Sequence, residues 1–517
     1  MKRNAILLSI WGAAIAVLAL LTLTPNVMTI EGQSDKMLHI TGFCLLMLPG
    51  VLVLSNWRRI IIAALALTLI GLAIEILQEL SPGRNSSLED ALANIAGVIA
   101  GLIIGALMRA DFKKVAKALV IACLPFTLSA QASDDVVMVS QNPTPPFEAL
   151  GMRLGTLMIY PEVTLEERWD DNIFKTPNNE ESDLITKLSP QIRVKTDWSL
   201  HELSAVARGD LGFFADNDNE NFTDYNLGIG GRLDIGHDMF LYGNIDYAQD
   251  HDSRDDPNDV NGDEPTEYQT LRARAGLTRE VARLKLYLSG EYADITFDNA
   301  FRGNTVIDNG GRDREEYRGE AKLAYEFSPR YEAFARARLI DINYDELTSG
   351  QDRSSSGYEA ALGTAINISG KTKGEIYAGT IQRDFGAGLS DVNELNYGGS
   401  VIWNISGLTS LKGEIDRSLF EAIGSGVSGY LRTRGDLTLE HAFRQNIIAR
   451  AGLGYRDDEF IGSTREDETW SAYLGGDYKL NRAIAVGLEA KHISRDSNNA
   501  AANYDNNIIT ARVKLKR

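Results

Sequence analysis

Polar residues that could do chemistry interrupt apolar stretches in the first hundred positions of this 517-residue chain. His39 opens one stretch, Glu75 and Gln78 close the next, and Asp90 and Asn94 open a third, with Arg84 in the polar break between. Ionisable groups inside apolar spans are costly, and they mark either a site or a buried pair. On helices, Glu75 and Gln78 share a face at i,i+3, as do Asp90 and Asn94 at i,i+4. Gathered at one depth, such groups could hold a lipid head group or a small ligand. Packing and capping account for them as well. Ser87-x-x-Asp90 fits a capping box, Glu75 could pair with Arg84, and Gly97, Gly101 and Gly105 make a small-xxx-small packing stripe. Both readings stand.

A second set of charges alternates with apolar residues far downstream: Arg272, Arg274, Arg336, Arg338, Arg432 and Arg434, with Glu316 and Glu320. If these segments are strands of a closed barrel, the charges face its lumen. A wall carrying both signs would then give a hydrated channel, and paired arginines could favour an anionic solute. For any one of them, cross-strand pairing that merely holds the wall together is the simpler reading. The histidines are scattered without ligand spacing, and no nucleophile elbow or phosphate loop is present. The sequence thus carries no enzyme signature, and it implies neither metal nor cofactor. The acidic run around 257–268 is not an EF-hand loop, because Pro257 and Tyr268 occupy the first and twelfth ligand positions.

The elements that must position these groups fall into two kinds. Apolar stretches at about 5–24, 37–54, 60–79 and 88–108 are each near the ~20 residues that span a bilayer as a helix. Lys2, Arg3, Arg58, Arg59 and the basic run 109–117 put both ends of this bundle in the cytoplasm. Residues 109–132 then read as an internal signal peptide: basic residues, an apolar run from Ala118 to Leu128, and Ala130-Gln131-Ala132 ahead of a cut between Ala132 and Ser133. Residues 133–150 read as a polar, Pro-rich periplasmic linker.

From 151 to 517 the pattern is period two. Leu284, Leu286, Leu288 and Tyr292 lie on one face, and Lys285, Tyr287, Ser289 and Glu291 on the other. Nine long and eight short connections separate such stretches and imply about eighteen strands, with both barrel ends on the short-turn side. The expected fold class is therefore a two-part membrane protein: four transmembrane α-helices (1–108), then an all-β antiparallel up-and-down barrel. The formal charge of −19 excludes a nucleic-acid partner. Cys44 and Cys123 both precede Ser133, so the barrel contains no disulfide. The expected partners are inner- and outer-membrane lipids, with lipopolysaccharide and divalent cations at the acidic loops, 250–267 above all, as a solvated outer surface. The compartment is a Gram-negative envelope, with 1–108 in the inner membrane and 133–517 in the outer.

Two resemblances attach to these residues. Asp35-Lys36-x-x-His39, Phe43, Glu75-x-x-Gln78, Pro82-Gly83-Arg84 and Asp90-x-x-x-Asn94-x-x-Gly97 resemble the VanZ-like membrane proteins over about 30–108. That implies an inner-membrane bundle but no defined reaction. Leu154-Gly155, Tyr160-Pro161, Trp169-Asp170-Asp171-Asn172-Ile173-Phe174, Leu188-Ser189-Pro190 and Asp197-Trp198-Ser199 resemble the opening of the porin type 2 outer-membrane β-barrels. This second resemblance implies a pore or conduit linked to exopolysaccharide and its export machinery. A closed structural or adhesive barrel and a barrel enzyme acting on envelope lipid or glycan are the alternatives.

Overall fold

The computed structural model describes residues 136–517, apart from Pro143, Thr348, Ser349, Ser369 and Ala387, together with scattered positions between 42 and 102. The chain divides into two units, Met1–Ala122 and Cys123–Arg517. In the first, helical residues Phe43, Met47, Val51, Ile60, Leu67 and Val98 form a buried apolar cluster. Asn94 is buried beside Gly71, where an added Cβ would crowd both Asn94 and the Phe43 ring. Among the described residues no helix is long and apolar enough to cross a membrane. The expected four-helix bundle lies mostly outside those residues, as do His39, Glu75, Gln78, Arg84, Asp90, Ala132 and Ser133.

The second unit is a closed antiparallel barrel. A short β1 (Met152–Leu154) leads into β2 (Leu157–Asp170), β3 (Asp183–Thr196), β4 (Glu202–Phe214), β5 (Phe222–Ile235), β6 (Met239–His251), β7 (Glu267–Val281) and β8 (Leu284–Phe297). A small hairpin, β9 (Ala300–Arg302) and β10 (Thr305–Ile307), sits in the next connection, outside the wall. The wall resumes with β11 (Arg314–Ser328), β12 (Tyr331–Tyr344), β13 (Ser355–Ile368), β14 (Thr372–Phe385) and β15 (Val392–Ser406). It ends with β16 (Thr409–Glu421), β17 (Gly429–Arg444), β18 (Ile447–Ile461), β19 (Glu466–Lys479), β20 (Ile484–Ser497) and β21 (Tyr504–Lys516). Each strand pairs with its chain neighbours, β8 pairs with β11, and β21 returns to β2 from Glu162↔Lys516 to Asp170↔Ile508. Eighteen strands therefore close on themselves, as the alternation and connection lengths predict. Closure leaves no strand edge unpaired in lipid.

Sequence explains the seam. Where β21 runs out, the Arg517 N–H donates to the Pro161 carbonyl, and β1 covers the rest of the β2 edge. At the other end of the seam, the Asp171 carboxylate accepts from the backbone and side chain of Asn507 at 2.6 and 2.7 Å, while the Asn506 amide donates to Asp170 at 2.5 Å. Asn172 turns back to the carbonyls of Thr176 and Asp505. The Trp-Asp-Asp-Asn run is thus the stitch between first and last strands. Pro190 has no N–H to give, and the β3–β4 ladder skips from Leu188↔Leu211 to Gln191↔Arg208 around it.

Alternation sorts the two faces. Leu227, Ile245, Leu271, Leu339, Leu362, Leu395 and Leu474 are exposed on the outside. Aromatic pairs mark its borders: Tyr292 with Tyr317 toward the long connections, and Phe327 stacked on Tyr331 at a short turn. This is the banded outer face of a barrel in lipid. The opposite phase carries the charges.

The expected linker is structured where described. Residues 139–141 and 145–147 form single 3₁₀ turns. Val136, Met138 and Val139 are buried, and Val139 packs on Ala442 and Ile448. The backbone N–H groups of Val139 and Ser140 donate to Ser410 and Glu440, and Lys479 donates to Thr144. All these partners sit on the inner face near the short turns, so the segment is a strap laid inside that mouth.

Candidate functional site: a charged constriction in the lumen

The inward charges are mostly paired, as the simpler reading of each expects. Arg338 bridges Glu320 at 2.7 Å and Glu359 at 2.9 Å across neighbouring strands. Arg432 holds Asp458 with two bonds of 2.7 and 2.9 Å. Glu316 sits between Arg314 and Arg318. Arg272 and Arg274 both face Glu291, and Arg434 pairs with Asp436. Arg336 differs: it has no carboxylate partner among the described residues and lies over the Tyr377 ring, 4.1 Å from its centroid. Of the eight charges picked out by spacing, seven are tied into this wall lattice.

What spacing did not reveal is that two chain segments fold into the lumen. The first is the β6–β7 connection, residues 252–266, whose acidity predicts a solvated outer loop but which lies inside the barrel instead. Arg254 is its internal hub, gripping Glu220 at 2.6 and 2.9 Å and the Gly262 carbonyl at 3.0 Å. Asp255 reaches the far wall. Its carbonyl accepts from Arg495 on β20 at 2.7 Å, and its carboxylate lies 3.5 Å from Arg456 on β18. Burial works against the Asp255 charge, but the Ser253 hydroxyl and the positive charges of Arg456, Arg495 and Lys175 outweigh it and hold the carboxyl below its usual value.

The second segment is the tip of the β16–β17 hairpin. The β15–β16 ladder stops at Gly398↔Asp416, whereas β16 and β17 stay paired to Glu421↔Gly429. Past that point the hairpin parts from β15 and, with β17 still paired to β18 as far as Gly429↔Ile461, its tip tucks beneath β14 and β15. Leu431 packs on Ile381 and Val392, Tyr344 donates to Glu421 at 3.0 Å, and Arg383 stands 3.5 Å from the same carboxylate. Arg353, in the connection 345–354, donates to the Gly424 carbonyl at 2.7 Å. The two infoldings meet at Asn258, whose amide donates to the Glu421 carbonyl at 3.1 Å and accepts from the Ile423 N–H at 3.1 Å.

The result is a narrowed lumen with ionised groups on both sides. Beneath it lies a cavity of about 380 Å³ lined by Asp250, Asp256, Arg314, Arg353, Tyr344 and Tyr430, among others. Burial raises the Asp252 carboxyl despite its 2.7 Å contact with Arg312, and burial lowers the Arg353 guanidinium. Among the described residues no cluster of side chains is spaced to hold a metal ion. The sequence held no signal that turns this loop inward, because an acidic run such as 250–267 suits a wet lumen and a wet outer surface alike.

A closed barrel with an apolar outer band, a charged inner face and an internal constriction defines an outer-membrane β-barrel of the porin class. Residues 144–517 match the family described as Putative beta-barrel porin 2, and the chain belongs to that family. No curated protein matches it. Among solved structures, it is similar to OpdK of Pseudomonas aeruginosa with vanillate, at 12% identity over 69% of this chain and 99% of that one, with a TM-score of 0.37. A BenF-like porin from Pseudomonas fluorescens Pf-5 matches at 10% identity over 69% and 99%, with a TM-score of 0.39. The copper transporter OprC matches at 11% identity over 71% and 81%, with a TM-score of 0.42. Likenesses this distant carry no argument about cargo.

Proposed function

We propose that the barrel is a passive channel for small hydrophilic solutes, gated in size by the loop 252–266 and the β16–β17 tip. The observation that carries this reading is the constriction itself, where Asp255 meets Arg456 and Arg495 across the lumen. Facing charges in a confined, hydrated passage attract and orient polar solutes while narrowing the path. The inward Arg272, Arg274, Arg336, Arg338, Arg432, Arg434, Glu316 and Glu320 would line the route on either side. Single-channel conductance of the purified chain in planar bilayers tests it; a correctly folded but silent barrel would overturn the channel reading.

The cellular setting we propose is exopolysaccharide export, supported by the resemblance of the seam run Trp169–Phe174 and its neighbours. A deletion strain with unchanged surface polymer would count against it. We further propose that residues 1–108 are a VanZ-like inner-membrane part, separated by cleavage after Ala132, so that the outer-membrane species starts at Ser133. N-terminal sequencing of that species decides the point, and a full-length outer-membrane species would refute it. The acidic outer loops other than 252–266 are the proposed contacts for divalent cations and lipopolysaccharide. One observation favours the second reading, a closed structural barrel: the strap and the inward loop occupy opposite ends of the same lumen.

A further inference from the structure

Of the two halves of the constriction, the β16–β17 tip is the one that the wall holds on a single side. Beyond Gly398↔Asp416 no ladder ties β16 to β15, while β17 stays paired to β18. The turn of the tip, residues 424–427, closes with the Val427 N–H donating to the Gly424 carbonyl at 3.1 Å. Side chains from other connections take the backbone groups that this turn leaves over. The two Nη atoms of Arg353 donate to the carbonyls of Gly424 and Val427, at 2.7 and 3.4 Å, and so bridge its first and last residues. From the same connection, Gln351 Oε1 accepts from the Gly426 N–H at 3.0 Å. Just past the turn, the Ser390 N–H donates to the Ser428 hydroxyl at 2.8 Å, and that hydroxyl donates back to the Ser390 carbonyl at 2.7 Å.

These three contacts are not equivalent. Gln351 is half-buried and meets one N–H, and Ser390 meets the chain after the turn has closed. Arg353 is only 2% exposed and ties both ends of the turn through one planar fork of donors. A buried carbonyl must find a donor. Without Arg353 the Val427 carbonyl gains one only by moving out to water, away from its place beneath β14 and β15. The inward loop would feel that movement, because Asn258 is seated on the same tip through Glu421 and Ile423. We propose that Arg353 is a positioning residue for the constriction, fixing the turn 424–427 and through it the size of solute that the barrel admits. The effect on solutes rests on the channel reading; the placement of the turn does not.

Arg353→Met keeps a long side chain and loses its donors, whereas Arg353→Lys keeps a donor group. In planar bilayers, the full chain with Arg353→Met should conduct about 1.5-fold more than wild type and admit larger polyethylene glycols. Arg353→Lys should recover most of the wild-type exclusion. A methionine variant that excludes like wild type, or a lysine variant as open as methionine, overturns the proposal. The turn can also be followed without conduction, through Val427→Cys in a chain carrying Cys44→Ser and Cys123→Ser. A charged methanethiosulfonate should modify that thiol about ten-fold faster once Arg353→Met is added; equal rates overturn the proposal. Gln351→Leu should move both readouts the same way by less. If Arg353→Met fails to fold, as judged by lost heat-modifiable mobility, Gln351→Leu decides, and no movement in either readout overturns the proposal. A silent barrel whose thiol is nevertheless released by Arg353→Met refutes the channel and keeps the positioning role. A conducting barrel indifferent to the substitution does the opposite.

Discussion

At the long-connection end of the barrel, the lumen is crossed by a segment anchored through charge. Arg254 ties the loop to Glu220, and Asp255 latches it to Arg456 and Arg495. At the short-turn end, the strap of residues 136–147 crosses the mouth on different terms. Buried Val136, Met138 and Val139 hold it, with backbone N–H groups given to Ser410 and Glu440. The contrast follows from what each segment can offer. An acidic loop entering a wall rich in arginine finds counter-charges, and low-dielectric surroundings strengthen them. A segment with four consecutive apolar residues, 136–139, finds shelter from water instead. One lumen is therefore narrowed twice by two kinds of force, and they should fail under different perturbations.

The largest effect should come from the charged end. Asp255→Ala combined with Asn258→Ala removes the contacts to β18 and to the β16–β17 tip. Single-channel conductance should rise by about two-fold or more as the loop swings clear. Unchanged conductance would mean that the loop does not limit the passage. Arg254→Ala should act in the same direction by loosening the loop from within. The strap should matter less, because its partners line one stretch of the inner wall. Val139→Asp places a charge against Ala442 and Ile448, which should release the segment and expose it to limited proteolysis, with a conductance gain below that of the Asp255 variant. A strap variant with the larger effect would reverse the comparison.

Acid should separate the two ends further. Asp255 is held below its ordinary value of 3.8, so the native state binds this proton more weakly than the free chain. A depressed carboxyl contributes stability that is fully present above the ordinary value and is lost as pH falls through the lowered one. The latch should therefore hold at neutral and mildly acidic pH and release only below about pH 4. Conductance measured downward through that window should rise in the wild type and stay flat in Asp255→Asn. A rise of equal size in the variant would assign the pH response elsewhere.

The architecture was legible because a barrel in lipid writes its geometry into every strand. Leu284, Leu286 and Leu288 against Lys285 and Tyr287 fix which face meets lipid, and turn lengths fix the strand count. The constriction was not legible for a physical reason. Both the outer surface and the lumen are wet, so an acidic run such as 250–267 satisfies the same pattern in either place. Only the pairing of Asp255 with Arg456 and Arg495 decides, and that needs coordinates. The strap was masked by its company. Val136-Val137-Met138-Val139 is an apolar run, but the prolines that follow it read as a linker. The β16–β17 tip gave no sign at all, since Leu419 and Leu431 alternate as wall residues do while packing beneath β14 and β15.

The smallest expected effect tests the wall lattice rather than either end. Arg338 is balanced by Glu320 and Glu359, whereas Arg336 has only the Tyr377 ring beneath it. A cation over a ring keeps its full charge facing the passage, because the ring supplies a quadrupole and not a counter-ion. Arg336→Ala should therefore shift the reversal potential in a salt gradient toward cations by a few millivolts, about the contribution of one charge among many in a screened lumen. Arg338→Ala deletes a charge too, but it also frees two carboxylates, so its shift toward cations should be the larger of the two. Equal shifts from the two variants would show that ion pairing in this wall does not mute its charges, and that the lattice is not the buffer between the two ends that its geometry makes it.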